Sequence, residues 1–122
     1  MTKKKVLIVE DQAPIAEAEK LILQDDYEVH IARDGEEGLE KAKLLQPDLL
    51  VLDVMMPKLD GFEVCKRIRA DEGLKATKIV MVTSKNRDLD EFKGMETGAD
   101  DYLMKPFEPV ELLHILKQVL GQ

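Results

Sequence analysis

Polar side chains that could do chemistry follow directly after four short apolar runs of this chain. The runs and the residues after them are Val6–Val9 with Glu10 and Asp11, Leu49–Leu52 with Asp53, Ile79–Val82 with Thr83, and Tyr102–Met104 with Lys105. Apolar runs without polar alternation are typical of strands that are buried on both faces of a parallel sheet. Because the carboxyl ends of parallel strands meet at one edge, we expect these polar residues to share one pocket.

Such a pocket is acidic, with one fixed cation and one hydroxyl group. Two like charges about 4 Å apart repel by on the order of 4 kcal/mol at an effective dielectric constant of about 20, and a single lysine does not neutralise three carboxylates. The pocket therefore calls for a hard cation, and Mg²⁺ prefers carboxylate, water and phosphate oxygens. With Mg²⁺, Lys105 and Thr83 around the transferred group, Asp53 would be the nucleophile of a phosphoryl transfer.

Helical segments separate the apolar runs, so strands and helices alternate five times along the chain. We predict a second strand over Glu28–Ala32 and helices over about Pro14–Gln24, Gly35–Gln46, Phe62–Ala70, Leu89–Thr97 and from Pro109 onward. In the first helix we expect Ile15, Ala18 or Glu19, and Ile22 to face the core. The alternation predicts an α/β, flavodoxin-like (βα)5 fold, a doubly wound five-stranded parallel sheet in the strand order 2-1-3-4-5.

Composition limits the classes of protein that remain. The 122 residues suit one domain, residues 1–122, and 44% apolar residues are enough to fill its core. With 25 acidic and 18 basic residues the net charge is -7, so we expect no direct contact with nucleic acid or with an anionic membrane. Cys65 is the one cysteine, and no apolar stretch approaches the roughly 20 residues that span a bilayer. We therefore expect a cytoplasmic protein.

Four segments carry a resemblance to a known family. They are Val6–Asp11, Asp53–Gly61, Val82–Ser84 and Gly98–Phe107. In this order and spacing, and at the ends of predicted strands, they resemble the receiver domain of two-component response regulators, the CheY-like family, over essentially the whole chain. Ser84 stands where that family more often has alanine.

The resemblance implies a phosphoacceptor site. Asp53 would accept a phosphoryl group from the phosphohistidine of a sensor histidine kinase or of a histidine phosphotransfer protein. Asp11, Asp53 and the backbone carbonyl of Met55 would bind Mg²⁺ directly, and Glu10 would act through a metal-bound water. The chain would then be a signalling switch that catalyses its own phosphorylation and slow dephosphorylation, rather than an enzyme with a separate substrate.

The same resemblance assigns a switch. Lys105 and Thr83 would contact the phosphoryl oxygens, and the Lys105–Pro106 peptide bond would be cis, which is affordable before proline. In the family, the threonine moves toward the phosphoryl group and the aromatic residue matching Tyr102 turns inward. The face formed by helix 4, strand 5 and helix 5 then changes for a downstream partner. Tyr102 is equally compatible with a packed aromatic ring whose hydroxyl faces water.

Three other functions compete with a stand-alone receiver. Phosphohydrolases of the haloacid dehalogenase type also use an aspartyl nucleophile with Mg²⁺. In their Asp-x-Asp motif a second aspartate follows two positions after the nucleophile, whereas position 55 of this chain is methionine. A pseudo-receiver usually lacks Asp53, Asp11 or Lys105, and all three are present. The third is the receiver part of a longer regulator with a DNA-binding or cyclase output domain. Because no linker precedes the end at Gln122, we expect a stand-alone receiver.

Departures from the family predict two further properties. The segment Gly94–Phe107 looks much like winged-helix regulators, which dimerise through helix 4, strand 5 and helix 5. Glu91 and Ile115 occupy positions where we expect basic residues in that dimer, although Lys93 remains, so we expect a monomer. Met55 and Lys85 flank the path of water toward the acyl phosphate. Because methionine has no group that orients water, we expect slow hydrolysis.

Overall fold

The computed structural model describes residues 3–56, 59–84 and 98–122. Its strands are β1 (Lys5–Val9), β2 (Glu28–Ala32), β3 (Leu49–Asp53), β4 (Lys78–Ser84) and β5 (Asp101–Lys105). Its helices are α1 (Ala13–Leu23), α2 (Gly35–Leu45), α3 (Gly61–Ala70), a 3-10 turn (Glu72–Leu74) and the C-terminal helix (Pro109–Leu120). The predicted helix over Leu89–Thr97 lies outside the described residues. In the described ranges, no helix is long and apolar enough to span a membrane.

All strand pairs are parallel and follow the order β2-β1-β3-β4-β5. This confirms the predicted doubly wound, flavodoxin-like fold. β1 pairs with β3 from Val6 opposite Leu49 to Val9 opposite Leu52. The residue after Val9 is Glu10, and the residue after Leu52 is Asp53. The register alone brings two of the predicted site residues together at the switch point.

The sheet separates two apolar cores. Along β1, Val6 and Ile8 join the cluster that includes α1 and the C-terminal helix, whereas Leu7 and Val9 join the cluster that includes α2 and α3. All four side chains are fully buried. Because both faces are covered, every position of the strand needs an apolar residue, which explains the unbroken run in the sequence.

The helix ends follow from capping. The side chain of Asp34 accepts a hydrogen bond from the Glu37 amide at the start of α2, and Asp60 accepts one from the Glu63 amide at the start of α3. Gln46 takes a left-handed conformation, with φ of 50°, directly before Pro47, which cannot continue the helix. These ends lie within one or two residues of the predicted ones.

The inner face of α1 differs from part of the prediction. Its buried residues are Ala16, Glu19 and Leu23, whereas Ala18 is exposed and Ile15 only half-buried. The prediction left Ala18 and Glu19 open, and the structure selects Glu19. Two stripes one residue apart have the same helical spacing, and the small Ala16 lets the backbone approach the sheet. Burial therefore raises the pKa of Glu19 to about 7.

An arginine ties the start of β5 to the rest of the domain. Arg69 donates from Nε to the Gly98 carbonyl at 2.8 Å, from Nη1 to the Thr77 carbonyl at 2.6 Å and from Nη2 to Asp100 Oδ2 at 2.7 Å. The same Asp100 oxygen accepts from the Ile79 amide. Asp100 therefore has both a charged and a backbone partner. The guanidinium thus holds the chain as it enters β5.

The buried carboxyl group of Glu19 should make stability depend on pH. Its pKa rises from 4.5 to about 7 on folding, so between these pH values the unfolded chain loses a proton that the folded chain keeps. The free energy of unfolding should fall across this window by up to about 3 kcal/mol. Glu19→Gln should remove this loss. Measured by urea unfolding, its free energy of unfolding should therefore rise relative to that of the wild type between pH 5 and pH 8.

Glu17→Gln is the matched control, because Glu17 is exposed on the same helix. It should follow the wild type at both pH values. A constant difference in stability between Glu19→Gln and the wild type at pH 5 and pH 8 would contradict the predicted ionisation.

Candidate functional site

Three carboxylates meet at the carboxyl end of the sheet. One oxygen each from Glu10, Asp11 and Asp53 lies within 4.8 Å of the others, the only such group of potential metal ligands found in the described residues. Glu10 follows β1, and Asp53 is the last residue of β3. Both are buried, with 1% and 6% of their surface exposed. The predicted acidic pocket therefore exists, and its oxygen ligands suit a hard divalent cation.

A proton relieves part of the repulsion in this pocket. Burial, the hydrogen bond to Asp53 and the negative charge of Asp53 together raise the pKa of Glu10 to about 8, although the positive charge of Lys105 opposes them. Glu10 Oε1 also accepts a hydrogen bond from the Gln12 amide at 3.2 Å. At neutral pH without a metal ion, Glu10 therefore favours its protonated form. A divalent cation would displace this proton.

Lys105 supplies the fixed positive charge. Its Nζ lies 3.7 Å from Glu10 Oε2 and 3.7 Å from Asp53 Oδ1. Lys105 ends β5, where it pairs with Ser84 of β4, and the Lys105–Pro106 peptide bond is cis. The ammonium group thus bridges two of the three carboxylates from the neighbouring strand end.

Two buried oxygens of the site have no hydrogen-bond partner among the described residues, Asp11 Oδ1 and Thr83 Oγ1. Thr83 itself is only 2% exposed and follows Val82, which pairs with Asp53 across the β3–β4 ladder. A buried polar atom without a partner costs about 1–3 kcal/mol. An oxygen-binding cation at Asp11 and a hydrogen-bond acceptor at Thr83 would remove this cost, so the residues present fit both a metal ion and an anionic group.

The loop after β3 closes tightly over Asp53. The Gly61 amide donates to the Val54 carbonyl at 3.0 Å, and a Cβ at position 61 would stand 2.5 Å from the Asp53 carbonyl oxygen. The Met55 amide lies 3.4 Å from Asp53 Oδ1, and the Met55 side chain is 54% exposed. Glycine is therefore required at the start of α3. The role of the Met55 carbonyl as a metal ligand stays a prediction.

Other residues from the sequence analysis lie away from the carboxylates. Tyr102 is half-buried, pairs with Met81 in the β4–β5 ladder and packs against the core on the side of α2 and α3. Ile115 is 8% exposed within the other core cluster, so it is not a surface position from which a basic residue has been lost. The expected monomer stays a prediction. The remaining positions, Lys85, Glu91 and Lys93, lie outside the described residues.

Comparison with known proteins identifies the family. The family model for the response regulator receiver domain matches residues 6–117 of the sequence. The chain belongs to this family. Receiver domains are signalling switches, and this chain places an aspartate, two further acidic residues, a threonine and a lysine at the expected strand ends.

Several relatives show how far the likeness extends. The alkaline phosphatase synthesis transcriptional regulatory protein PhoP of Bacillus subtilis (strain 168) is 46% identical over 118 residues, which are 96% of this chain and 48% of PhoP. The DNA-binding response regulator MtrA of Mycobacterium tuberculosis (strain H37Rv) is 40% identical over 112 residues, 91% of this chain and 48% of MtrA. The chain thus spans about half the length of these relatives.

A solved structure adds a metal ion to the comparison. The receiver domain of sensor histidine kinase PA1611 from Pseudomonas aeruginosa PAO1 has a magnesium ion coordinated in its active-site cleft. It is 29% identical, with a TM-score of 0.90, and the match covers 99% of this chain and 100% of that one. The names of PhoP and MtrA, in contrast, do not support the expectation that no nucleic acid is involved.

Gly61→Ala should disturb the site through the backbone of the nucleophile strand. The added methyl group would meet the Asp53 carbonyl oxygen and the Val54 Cα at 2.5 and 2.9 Å, and backbone atoms cannot move aside as a side chain can. We expect a loss of about 1–3 kcal/mol in the free energy of unfolding, measured with urea. Gly73→Ala is the control, because its nearest contact is at 3.4 Å, and equal losses would contradict this account.

Asp53→Asn should stabilise the metal-free protein. It removes one of three neighbouring carboxylates and with it two of the causes that raise the pKa of Glu10. We expect a gain on the order of 1–2 kcal/mol in thermal unfolding with a chelator present. Saturating Mg²⁺ should stabilise the wild type, by about 2.7 kcal/mol at 100 times the Kd, and the variant less.

Asp25→Asn, at an exposed position after α1, controls for the loss of one negative charge. It should keep the full response to Mg²⁺. A wild-type melting temperature that does not change with Mg²⁺ would count against a metal site in the pocket.

Proposed function

We propose that this chain, residues 1–122, is a phosphoacceptor signalling domain of a two-component system. It would take a phosphoryl group from the phosphohistidine of a sensor histidine kinase or a histidine phosphotransfer protein onto Asp53, in a reaction that depends on Mg²⁺. The observation that carries this proposal is the position of Asp53. It is buried at a strand end, beside two carboxylates and 3.7 Å from a lysine.

In this proposal Asp11, Asp53 and the Met55 carbonyl hold Mg²⁺, with Glu10 acting through a bound water. When bound, Mg²⁺ supplies positive charge to the carboxylates and to the phosphoryl oxygens. Asp11 Oδ1 supports a ligand role, because it is buried and has no hydrogen-bond partner in the described part of the chain. Binding of the metal would favour release of the proton from Glu10.

The transfer itself needs positioning more than covalent assistance. A carboxylate oxygen of Asp53 attacks phosphorus, the new oxygen–phosphorus bond forms, and the bond to the histidine nitrogen breaks. Lys105 and the Thr83 hydroxyl donate hydrogen bonds to the phosphoryl oxygens. Two facts support these roles: Lys105 Nζ already lies near Asp53, and Thr83 Oγ1 has no partner among the described residues.

Phosphorylation would then change the surface around β5. The new group carries about 1.5 to 2 negative charges and three acceptor oxygens, which attract the Thr83 hydroxyl. A shift of Thr83 opens space for Tyr102, which lies three residues before Lys105 in β5. The partner surface would comprise β5, the C-terminal helix and the predicted fourth helix. Its downstream protein target is not specified by the site.

A second candidate is the receiver part of a longer regulator. It is favoured by the curated relatives, which are about twice as long as this chain and are named as a transcriptional regulatory protein and a DNA-binding regulator. Both candidates use the same Asp53 chemistry and differ in what the switched surface contacts. We keep the monomer as a proposal, tested by light scattering with and without a phosphoryl analogue.

Intact mass spectrometry after incubation with acetyl phosphate and Mg²⁺ tests the proposal. The wild type should gain one phosphoryl group, and Asp53→Asn should gain none, because the nucleophile is gone. Asp60→Asn is the control, since Asp60 lies on the same loop and asparagine also caps a helix well. An adduct that persists in Asp53→Asn would refute Asp53 as the acceptor.

The acyl phosphate should decay over minutes rather than seconds. Met55 is exposed beside Asp53 and has no group that holds a water for attack. Met55→Gln should shorten the lifetime several-fold, because its amide can orient water, as general positioning of reactants permits. The decay of the phosphorylated mass with time measures this.

Leu44→Gln makes a similar change on α2, at a side chain that is 82% exposed, and should leave the lifetime unchanged. A wild-type lifetime of seconds would contradict the prediction.

A further inference from the structure

Arg69, near the end of α3, joins the starts of two neighbouring strands. Its Nη1 donates to the carbonyl of Thr77, directly before β4, at 2.6 Å, and its Nε donates to the carbonyl of Gly98, before β5, at 2.8 Å. Its Nη2 forms an ion pair with Asp100 Oδ2 at 2.7 Å. The same oxygen accepts a hydrogen bond from the Ile79 amide of β4 at 2.7 Å. One guanidinium group therefore binds the chain on both sides of the β4–β5 pair.

The backbone at Gly98 allows a close approach of this side chain. Gly98 has a φ of 98°, which glycine adopts without strain. A Cβ at this position would lie 3.0 Å from Arg69 Cγ and 3.2 Å from Arg69 Nε. On the same helix, in contrast, Arg67 pairs with Glu63 across one helical turn, and its side chain is 55% exposed. The contacts of Arg69 thus join distant segments, whereas those of Arg67 stay within α3.

Few other interactions fix the position of β5. It is an edge strand that pairs with β4 alone in the described sheet, and Leu103 is its one buried residue. Every residue of β3, in contrast, is buried. The register of a strand is weakly specified where little of the strand is buried. The contacts of Arg69 help to fix how far β5 lies along β4, because they hold the residues before both strands.

The same register decides where Lys105 lies. The β4–β5 ladder ends with Ser84 opposite Lys105, so a shift at the start of β5 would move the lysine along the edge of the sheet. Lys105 Nζ lies 3.7 Å from Glu10 Oε2 and 3.7 Å from Asp53 Oδ1, which is longer than an N–H···O hydrogen bond. The β5 backbone, rather than hydrogen bonds to these two carboxylates, therefore places the ammonium group.

We infer that Arg69 is a positioning residue for phosphoryl transfer, because it holds β5 in register on β4 and thereby places the ammonium group of Lys105 beside Asp53. The inference rests on the proposed function, in which Lys105 donates to the phosphoryl oxygens. Arg69 binds the amino ends of β4 and β5, whereas the carboxylate pocket lies at the carboxyl end of the sheet. It therefore acts on the reaction through the strand and touches no reacting group.

The initial rate of phosphorylation tests the inference. The wild type and Arg69→Gln are incubated with acetyl phosphate and saturating Mg²⁺ at a temperature at which circular dichroism shows both proteins folded. Intact mass spectrometry follows the phosphorylated fraction. Arg69→Gln should react about tenfold more slowly, because a misplacement of about 1 Å can cost up to about 100-fold in rate. Arg67→Gln is the matched control on the same helix and should react at the rate of the wild type.

The affinity for Mg²⁺ separates positioning from a general structural role. The three clustered carboxylates belong to the ends of β1 and β3, whose pairing does not involve Arg69. The Kd of Arg69→Gln, measured by calorimetric titration with MgCl2, should therefore agree with that of the wild type within about twofold. Arg69→Lys keeps the charge but lacks the planar fork that binds three oxygens at once. It should also slow phosphorylation, and it replaces the glutamine variant if that variant does not fold.

A phosphorylation rate of Arg69→Gln equal to that of the wild type would overturn the inference. A fall in rate together with an equal fall in affinity for Mg²⁺ would also overturn it, since Arg69 would then support the domain as a whole. If the wild type and Arg67→Gln both gain no phosphoryl group, the proposed function fails together with the inference. The two failures are therefore distinguishable.

Discussion

Electrostatic repulsion among three carboxylates at one end of the sheet is the constraint on which the site depends. The parallel pairing of β1 with β3 places the ends of both strands side by side, and this brings oxygens of Glu10, Asp11 and Asp53 within 4.8 Å of one another. The raised pKa of Glu10 and the ammonium group of Lys105 offset part of the repulsion. A divalent cation would offset more of the repulsion. The stable sheet keeps the carboxylates close together when no cation is bound.

The site also contains buried polar atoms without hydrogen-bond partners among the described residues. Asp11 Oδ1 and Thr83 Oγ1 are buried without partners in the described residues, and the buried Glu19 lies in the same electrostatic field. Each lowers the stability of the metal-free domain, and the two apolar cores on either side of the sheet must compensate. Stability is in this way exchanged for a pocket that is organised before cation and phosphoryl group arrive.

Much of the fold and the candidate site could be predicted from the sequence, because buried parallel strands have a distinct pattern and their ends mark the pocket. Asp34 and Asp60, which cap α2 and α3, also indicate where these helices begin. Glu19 could not be assigned with certainty, since two stripes of α1 have equal spacing and a buried carboxyl group is an uncommon choice. The role of Arg69 could not be predicted, because it donates to the backbone carbonyl groups of Gly98 and Thr77, and backbone carbonyl groups produce no pattern of side chains in the sequence.

The most direct test of the account is a crystal structure with Mg²⁺ and beryllofluoride, a stable analogue of the phosphoryl group. The account predicts the metal ion between Asp11 Oδ1, Asp53 and the Met55 carbonyl, with beryllofluoride on Asp53. The fluorine atoms should accept hydrogen bonds from Lys105 and from the Thr83 hydroxyl, so that both orphaned oxygens gain partners. A metal ion bound elsewhere, or an Asp53 that stays unmodified while Thr83 Oγ1 keeps no partner, would contradict it.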